Sequence, residues 1–165
     1  MPTENEIRVM KLLTAIEIPP DAADRVQSWG NEAVTVVVEA ALGAYPGLRQ
    51  KVRTNAVALL GGMTHPQAAE AVAMLIRDPN PDIAIRAMRA AGEQRNEEVV
   101  ESLGEVLADP AATALLAAEA VKSLEAIGSA RARASLDNYL QADPGRLHHR
   151  ASRVVQDVIQ RRRSG

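Results

Sequence analysis

The stretch DPNPDIAIRAMRAAG, residues 78–92, combines a helix-breaking start with a helical apolar pattern that ends at a glycine. The dipeptide Asp-Pro returns at 109–110 and again at 143–144. Proline cannot continue a helix interior, and aspartate favours turns and helix starts. The dipeptide therefore predicts a break in the chain at nearly even intervals, between the two helices of successive pairs.

Glycines recur with a similar period. Gly30, Gly61 and Gly92 are 31 residues apart, and Gly128 follows 36 residues further along. Each comes at the end of a helical pattern, where a glycine can adopt the left-handed conformation that closes the last turn. We therefore expect these glycines to end the second helix of each pair.

The segments between these marks share one apolar stripe. Apolar residues at i, i+4, i+7 and i+8 predict a single buried face on each helix. The first helices carry Ala68, Val72, Leu75 and Ile76, then Val99, Leu103, Val106 and Leu107; the second helices carry Val52, Ala56, Leu59 and Leu60, then Ile83, Ala87, Ala90 and Ala91; the last helix carries Leu147, Ala151, Val154 and Val155. One pair cannot cover its own stripe, but stacked pairs bury all of them.

Composition agrees with stacked helices. Apolar residues make up 47% of the 165, but aromatic residues only 2%, and phenylalanine is absent. A core of Ala, Val, Leu and Ile suits many closely packed helices better than a β-sandwich. The pattern predicts one all-α domain of about ten helices in five antiparallel pairs, at 4–16 and 21–29, 32–43 and 47–60, 66–77 and 81–91, 96–108 and 111–127, 130–141 and 145–161. We expect 1–30 to be a capping pair, 31–143 the central repeats, and 144–165 a basic C-terminal helix with a frayed tail.

Charge is unevenly distributed along the chain. Residues 1–143 carry 13 Lys/Arg and 20 Asp/Glu, whereas residues 144–165 carry six arginines and one aspartate. The basic end is typical of a solvated helix, and the alternative is a docking site for an acidic partner or a nucleic acid. Cysteine is absent, which excludes disulfides and cysteine zinc sites. The start lacks a signal peptide's apolar core, and the most apolar run, 33–42, is too short to span a bilayer, so a cytoplasmic location is expected.

The stretch 78–92 resembles the linker and second helix of short HEAT-like repeats, the type found in phycobilin lyases and bacterial scaffold proteins. LIRDPNPDIA, VLADPAA, YLQADPG and NEAVTVVVEAALG fit the same pattern of Asp-Pro-x-Pro-x-Val-Arg, an alanine-rich helix and Leu-Gly. The resemblance covers about residues 30–160 and implies a right-handed α-solenoid, the superhelix of HEAT-like or armadillo repeats. The family arginine after valine is retained as Arg53 but is replaced by Ala84, Ala120 and His149. A ladder of aspartate and arginine along the stack is therefore interrupted.

Candidate catalytic and metal-binding groups are few. His65 precedes Pro66 and is expected to be a solvated turn residue, while His148 and His149 point about 100° apart on a helix and cannot bind one metal together. No histidine is followed by glutamate, unlike the repeated His-Glu pairs of HEAT-like iron hydroxylases. Trp29 is expected in the core. We therefore predict no catalytic, metal or cofactor site.

The resemblance implies that the second helices line the concave side of the solenoid. Opposite the core stripe of the second predicted pair stand Lys51, Thr54 and Ala58. Ile85 and Val121 are apolar at equivalent positions, and lateral packing between pairs is the alternative to exposure. The candidate partner-binding residues are Lys51, Ile85, Arg89, Val121, Glu125, His149 and Arg153. If exposed, this mixture favours a protein surface, since interfaces combine an apolar centre with a charged rim.

The leading hypothesis is a non-enzymatic cytoplasmic adaptor that binds a protein or peptide, or a second copy of itself, on the concave face. The first alternative is nucleic-acid binding through the basic end, whose arginines are Arg146, Arg150, Arg153 and Arg161, Arg162, Arg163. Phosphate binding needs such a basic stripe. The second alternative is a lyase-like or modifying-enzyme subunit, as the resemblance to phycobilin lyases allows.

Overall fold

The structure is a computed structural model that describes residues 1–142 and 153–165. Those residues form ten α-helices and no strand: α1 (Glu4–Leu13), α2 (Ala22–Ser28), α3 (Asn31–Leu42), α4 (Gln50–Gly61), α5 (Pro66–Leu75), α6 (Pro81–Gln94), α7 (Val100–Ala108), α8 (Ala114–Ile127), α9 (Ala130–Gln141) and α10 (Arg153–Ser164). A 3-10 turn, Glu97–Val99, leads into α7. The predicted all-α fold is confirmed, as is the predicted number of helices.

The helices stack pair upon pair. Within the central pairs, α3 packs on α4, α5 on α6, and α7 on α8. Between pairs, the most extensive contacts join α4 to α6 and α6 to α8, so the second helices form a continuous row. All extensive contacts join helices of the same pair or of neighbouring pairs. This stepwise packing is that of an α-solenoid, in which each repeat buries the apolar face of the next.

The apolar stripes form one continuous core of aliphatic side chains. All the stripe residues predicted on α4, α5 and α6, and in the turn and helix 97–108, are buried. Of the stripe predicted on the last helix, Val155 is buried, Val154 is half-buried, and Leu147 and Ala151 lie outside the described residues; Val158, which was not in the predicted stripe, is also buried. Burying a Val, Leu or Ile side chain contributes about 1.5–3 kcal/mol, so stacking supplies most of the favourable free energy.

Local capping explains where the helices begin. Thr3 and Glu6 form a reciprocal capping box at α1, and the side chains of Asn80, Thr113 and Ser129 accept hydrogen bonds from the first turns of α6, α8 and α9. Such caps satisfy backbone N–H groups that have no partner inside the helix. The Asp-Pro dipeptides at 78–79 and 109–110 lie between the helices of a pair, as predicted. The dipeptide at 143–144 is outside the described residues.

Several predicted boundaries are wrong by about one turn. Helix α1 ends at Leu13 instead of residue 16, and α4 and α8 each begin three residues later than predicted. The predicted start at Asn96 is a 3-10 turn, in which the Asn96 side chain accepts from the N–H of Glu98. Helix α6 continues to Gln94 because its left-handed closing residue is Arg95, at φ 49°, and not the glycine.

Gly128 closes α8 in the left-handed conformation, at φ 66°, as expected. Gly61 is the last residue of α4, as expected, but it does not adopt the left-handed conformation, and the expected role is wrong for Gly92, which lies inside α6. Both glycines lie where neighbouring second helices are in close contact. A Cβ on Gly61 would lie 3.0 Å from Ala90 Cα, and one on Gly92 would lie 3.1 Å from Ala126 Cβ. Their periodic recurrence reflects close helix packing.

Side chains of the second helices also bond to the backbone of the preceding pair. Asn55 donates to the carbonyl of Leu13 at 2.9 Å, and Gln94 donates to that of Leu60 at 2.8 Å. Ser123, buried in α8, donates to the carbonyl of Met88 at 2.8 Å. Leu13 and Leu60 lie in last helical turns, where carbonyl groups lack partners inside the helix, so these bonds fix the register between pairs.

Candidate functional site

On the second helices α4, α6 and α8, some residues on the side opposite the core stripe are buried and others are exposed. We call the buried ones the buried line of the second-helix row. Thr54, Ile85 and Val121 occupy equivalent positions and are only 8%, 8% and 0% exposed. The interpretation of Ile85 and Val121 as exposed apolar groups is therefore wrong, and lateral packing between pairs is confirmed. The cause is the close approach of α6 to both neighbours that Gly61 and Gly92 permit.

The remaining predicted residues fall into different environments. Lys51, Arg89 and Arg153 are exposed, while Glu125 forms an ion pair with Arg161 of α10 at 2.9 Å. His149 lies outside the described residues. Of the predicted residues that the structure describes, Lys51, Ile85 and Arg89 line a single depression.

This depression, which we call the second-helix groove, lies where α4, α6 and α8 begin. Its volume is about 590 Å³. Its lining residues are Gln50, Lys51 and Thr54 of α4, Asp82, Ile85, Arg86 and Arg89 of α6, and Leu115 of α8. Ile85 is nearly buried, whereas the side chain of Leu115 is 58% exposed at the groove's side. Volumes of about 300–1,000 Å³ are usual for ligand sites.

Arg89 is held in place by a buried carboxylate. Its guanidinium donates two hydrogen bonds to Glu119 of α8, at 2.9 and 3.3 Å, and Lys122 Nζ lies 3.6 Å from the same carboxylate. The Glu119 side chain is 4% exposed and that of Arg89 is 54% exposed. Burial alone would raise the pKa of Glu119, but the hydrogen bonds and charges of Arg89 and Lys122 outweigh burial and lower it. A charged Glu119 therefore orients a guanidinium that still faces solvent.

Arg89 also borders a second hollow of about 360 Å³, between α6 and α8. Met88, Gly92, Glu93, Glu119, Lys122, Ser123 and Ala126 line it with Arg89. Arg89 thus lines two depressions of the same helix row. A ligand in either depression would contact its guanidinium.

Sequence reasoning missed Arg86, Leu115 and Glu119. Leu115 precedes the apolar stripe of α8. Its position outside that stripe, near the start of a helix, could have indicated an exposed leucine. Arg86 directly follows Ile85, and only the packing of α4 against α6 reveals which of these two side chains is exposed. Glu119, in the alanine-rich run LLAAEAV, gave a signal as a lone carboxylate among small core residues.

The predicted interruption of the arginine ladder agrees with the structure. Arg53 Nη2 donates to Asp78 at 2.8 Å, and its Nε donates to the carbonyl of Ala41 at 2.9 Å. Ala84 and Ala120, at the following positions, are buried alanines without such a bond. The Arg53 pair is structural, since it ties α4 to the Asp-Pro connection of the next pair.

At the basic end, two arginines pair within the protein. Arg161 bonds to Glu125, and Arg162 bonds to Asp137 of α9. Arg153 and Arg163 are exposed, and Arg146 and Arg150 lie outside the described residues. Ion pairing lowers the positive charge that this end offers to phosphate groups, on which nucleic-acid affinity depends.

Other candidate groups have local structural roles. His65 caps α5: its Nδ1 accepts from the N–H of Gln67, and its Nε2 lies 3.1 Å from Asn31 Oδ1, so it is not a merely solvated turn residue. Trp29 is half-buried against the core between the guanidinium groups of Arg8 and Arg25. His148 and His149 are not described, and the described residues include no cluster of His, Asp or Glu suited to a metal ion.

Another cavity, of about 690 Å³, is an apolar cleft between α7 and α9. Leu107, Pro110 and Tyr139 are among its lining residues, and it ends at Ala142, the last residue before the undescribed segment 143–152. None of the predicted binding residues that the structure describes lines this cleft. No helix in the described ranges 1–142 and 153–165 has the length and apolar character needed to cross a membrane.

Comparison with protein families matches the chain to HEAT repeats over residues 44–119 and 71–155. The two matched ranges overlap and together span more than half of the chain, as expected for a repeat unit that occurs several times. Comparison with curated proteins gives no match. The match does not distinguish the narrower phycobilin-lyase type, which stays a prediction. The chain, with its stacked helix pairs and its matched repeats, belongs to the HEAT repeat family.

Proposed function

We propose that the protein is a non-enzymatic interaction scaffold that binds a protein or peptide partner on the row formed by α4, α6 and α8. HEAT repeats are commonly protein-interaction scaffolds. The observation that carries the proposal is the second-helix groove, in which the nearly buried Ile85 and the exposed Leu115 are surrounded by Lys51, Arg86 and Arg89. Protein interfaces combine an apolar centre with a charged rim in this way.

The fixed position of the Arg89 guanidinium also supports binding at this surface. The buried Glu119 carboxylate fixes the guanidinium before a partner arrives, so little side-chain entropy is lost on binding. Arginine is enriched among the residues that dominate binding energy in interfaces. The proposed cellular location is the cytoplasm, which fractionation with a compartment marker would test.

The test is affinity purification of the tagged full chain from its native host, followed by quantitative mass spectrometry. Lys51→Glu/Arg86→Glu reverses two exposed charges of the groove, whereas a change at Ile85 would disturb the core and is unsuitable. Arg133→Glu/Arg163→Glu is the matched control, because it changes the net charge equally at exposed positions on α9 and α10.

We expect the wild type and the control to capture a set of proteins that the groove variant, Lys51→Glu/Arg86→Glu, no longer captures. Thermal unfolding of all three chains should agree, so that a loss of binding is not a loss of folding. An identical set of captured proteins for the groove variant and the wild type would contradict the proposal.

A further inference from the structure

The second-helix groove has a chemistry that specifies its occupant more narrowly than a partner protein in general. We propose that it binds an acidic peptide segment that carries a leucine-sized aliphatic side chain. This inference rests on the proposed function and names the partner class of the same surface. It follows from three features of the groove: its unpaired cations, its apolar surface and the charge of the opposite face.

The first feature is a pair of cations without ion-pair partners. Arg53, Arg77, Arg89, Arg131, Arg161 and Arg162 all pair with carboxylates of other elements. Lys51 and Arg86 form no ion pair with any carboxylate among the described residues, although Asp82 lines the same groove. Lys51 donates only a long hydrogen bond, 3.5 Å, to the carbonyl of Ile16. Both cations are therefore available to the carboxylates of a ligand.

The second feature is apolar surface beside these cations. Ile85 lies at the bottom of the groove, and Leu115 is 58% exposed at its α8 side. Ile16, whose carbonyl contacts Lys51, is 88% exposed. Burying an aliphatic side chain against this surface contributes about 25 cal/mol per Å² of apolar area removed from water. A purely ionic ligand would leave these apolar groups in water.

The third feature is the opposite charge of the first helices. Helices α3, α5 and α7 and the 3-10 turn carry seven glutamates and no lysine or arginine: Glu32, Glu39, Glu70, Glu97, Glu98, Glu101 and Glu105. Glu105 and Glu97 pair with Arg77 and Arg131, and the other five glutamates leave this face negative. An acidic segment is therefore repelled by that face and attracted by the groove. Charge therefore selects both the ligand and the side of the molecule on which it binds.

The arrangement of the groove's charged and apolar side chains suits a peptide ligand in an extended conformation. Lys51 of α4, Arg86 and Arg89 of α6, and Leu115 of α8 come from three successive helices of the row. A peptide that crosses the helix starts meets cations and aliphatic groups in turn. Glu119 is a positioning residue in this arrangement, since it contacts Arg89 and does not line the groove.

The experiment selects random displayed peptides on the purified full-length chain. We expect enrichment of sequences that combine Asp or Glu with Leu, Ile or Met. Fluorescence anisotropy with an enriched, labelled peptide should then show affinity about tenfold weaker for Lys51→Glu/Arg86→Glu, and unchanged affinity for the charge-matched control Arg133→Glu/Arg163→Glu. Leu115→Ser should weaken binding, and Met74→Ser, at an exposed methionine of α5, should not.

Three results would overturn the inference. One is selection of basic or uncharged peptides, or of none; another is acidic peptides that bind the groove variant and the control equally. The third is that the groove binds a different ligand while no acidic peptide binds. That ligand would be a short DNA duplex, or a second copy of the chain detected by sedimentation, and its binding would be lost in the groove variant. If the groove variant still loses captured proteins in the native host but no acidic peptide is selected, the proposed function stands and this inference fails.

Discussion

The first-helix face, formed by α3, α5 and α7, and the second-helix row, formed by α4, α6 and α8, are built from the same repeat but differ in packing and charge. The second helices pack closely, with Gly61 and Gly92 at the points of nearest approach, whereas α5 and α7 have little mutual contact. The second helices carry five cations and four carboxylates, whereas the charged residues of α3, α5 and α7 are all glutamates, of which Glu105 pairs with Arg77 from the connection between α5 and α6. The second helices bury residues beyond their core stripe, such as Ile85 and Val121, whereas the exposed positions of both rows are free to diverge.

The close packing of α4, α6 and α8 forms a continuous row of second helices. The resemblance to HEAT-like repeats implies that this row is the concave side of the stack, which stays a prediction. A concave row would bring several helix ends within reach of one bound chain.

The largest expected effect comes from placing a charge in the buried line of the second-helix row. Val121→Glu should destabilise the protein by about 3–5 kcal/mol, since Val121 is fully buried and an unpaired charge would be buried with it. Met74→Glu, the same change at a residue that is 68% exposed on the first-helix face, should stay within about 0.5 kcal/mol. Urea unfolding followed by circular dichroism measures both, and equal losses would show that the two rows do not differ in burial.

A smaller loss is expected from filling the space at a helix contact. Gly61→Val should cost about 1–3 kcal/mol, because its Cβ would lie 3.0 Å from Ala90 Cα and 2.8 Å from Glu93 Oε2. Ala58→Val, on the exposed side of the same helix, is the control and should cost about 0.5 kcal/mol or less. An unchanged urea midpoint for Gly61→Val would contradict the close approach of α4 and α6.

The Arg89–Glu119 pair should make stability depend on pH with a defined sign. Because the folded state lowers the pKa of Glu119, its contribution is present above the unfolded value of about 4.3 and is lost as pH falls through the folded value. Glu119→Gln should therefore cost about 1 kcal/mol at neutral pH, a modest figure since Arg89 is half exposed.

The measurement is urea unfolding of the wild type and Glu119→Gln at neutral pH and again well below pH 4. The difference between the two proteins should shrink on acidification. A difference that grows as the pH falls would mean that the folded state raises the pKa of Glu119 instead.

The smallest effect on stability is expected from the acidic face. Glu101→Lys, at an exposed position of α7 without an ion pair to any described residue, should change the free energy of unfolding by less than about 0.5 kcal/mol. The same change should weaken the repulsion of acidic peptides by the first-helix face, and this effect should be larger at low salt than at high salt. A large loss of stability would show that this charge has a structural role.

The sequence predicted the stack well because its signals are local. The stripes on α4, α5 and α6 and the breaks at Asp78-Pro79 and Asp109-Pro110 depend on spacings within one or two helices. The roles of Gly61 and Gly92 could not be predicted in this way, since they depend on Ala90 and Ala126 of the next second helix. A glycine that permits close packing and one that closes a helix look alike in sequence.

The candidate site was harder to predict for the same reason. Lys51 and Arg89 were identified from helical position alone, and both line the groove. Ile85 and Val121 share the spacing of exposed residues, but neighbouring helices bury them. Leu115 contributes to the groove through its place at the start of α8, beside residues some 30 and 65 positions earlier, which no local pattern encodes.

The most direct test of the central claim, that the second-helix row is the binding surface, is a nuclear magnetic resonance titration of the labelled full chain with its selected peptide. The account predicts chemical-shift changes concentrated at Lys51, Ile85, Arg86 and Leu115, with Met74 and the glutamates of α7 unaffected. Changes confined to the first-helix face or to α10 would contradict it.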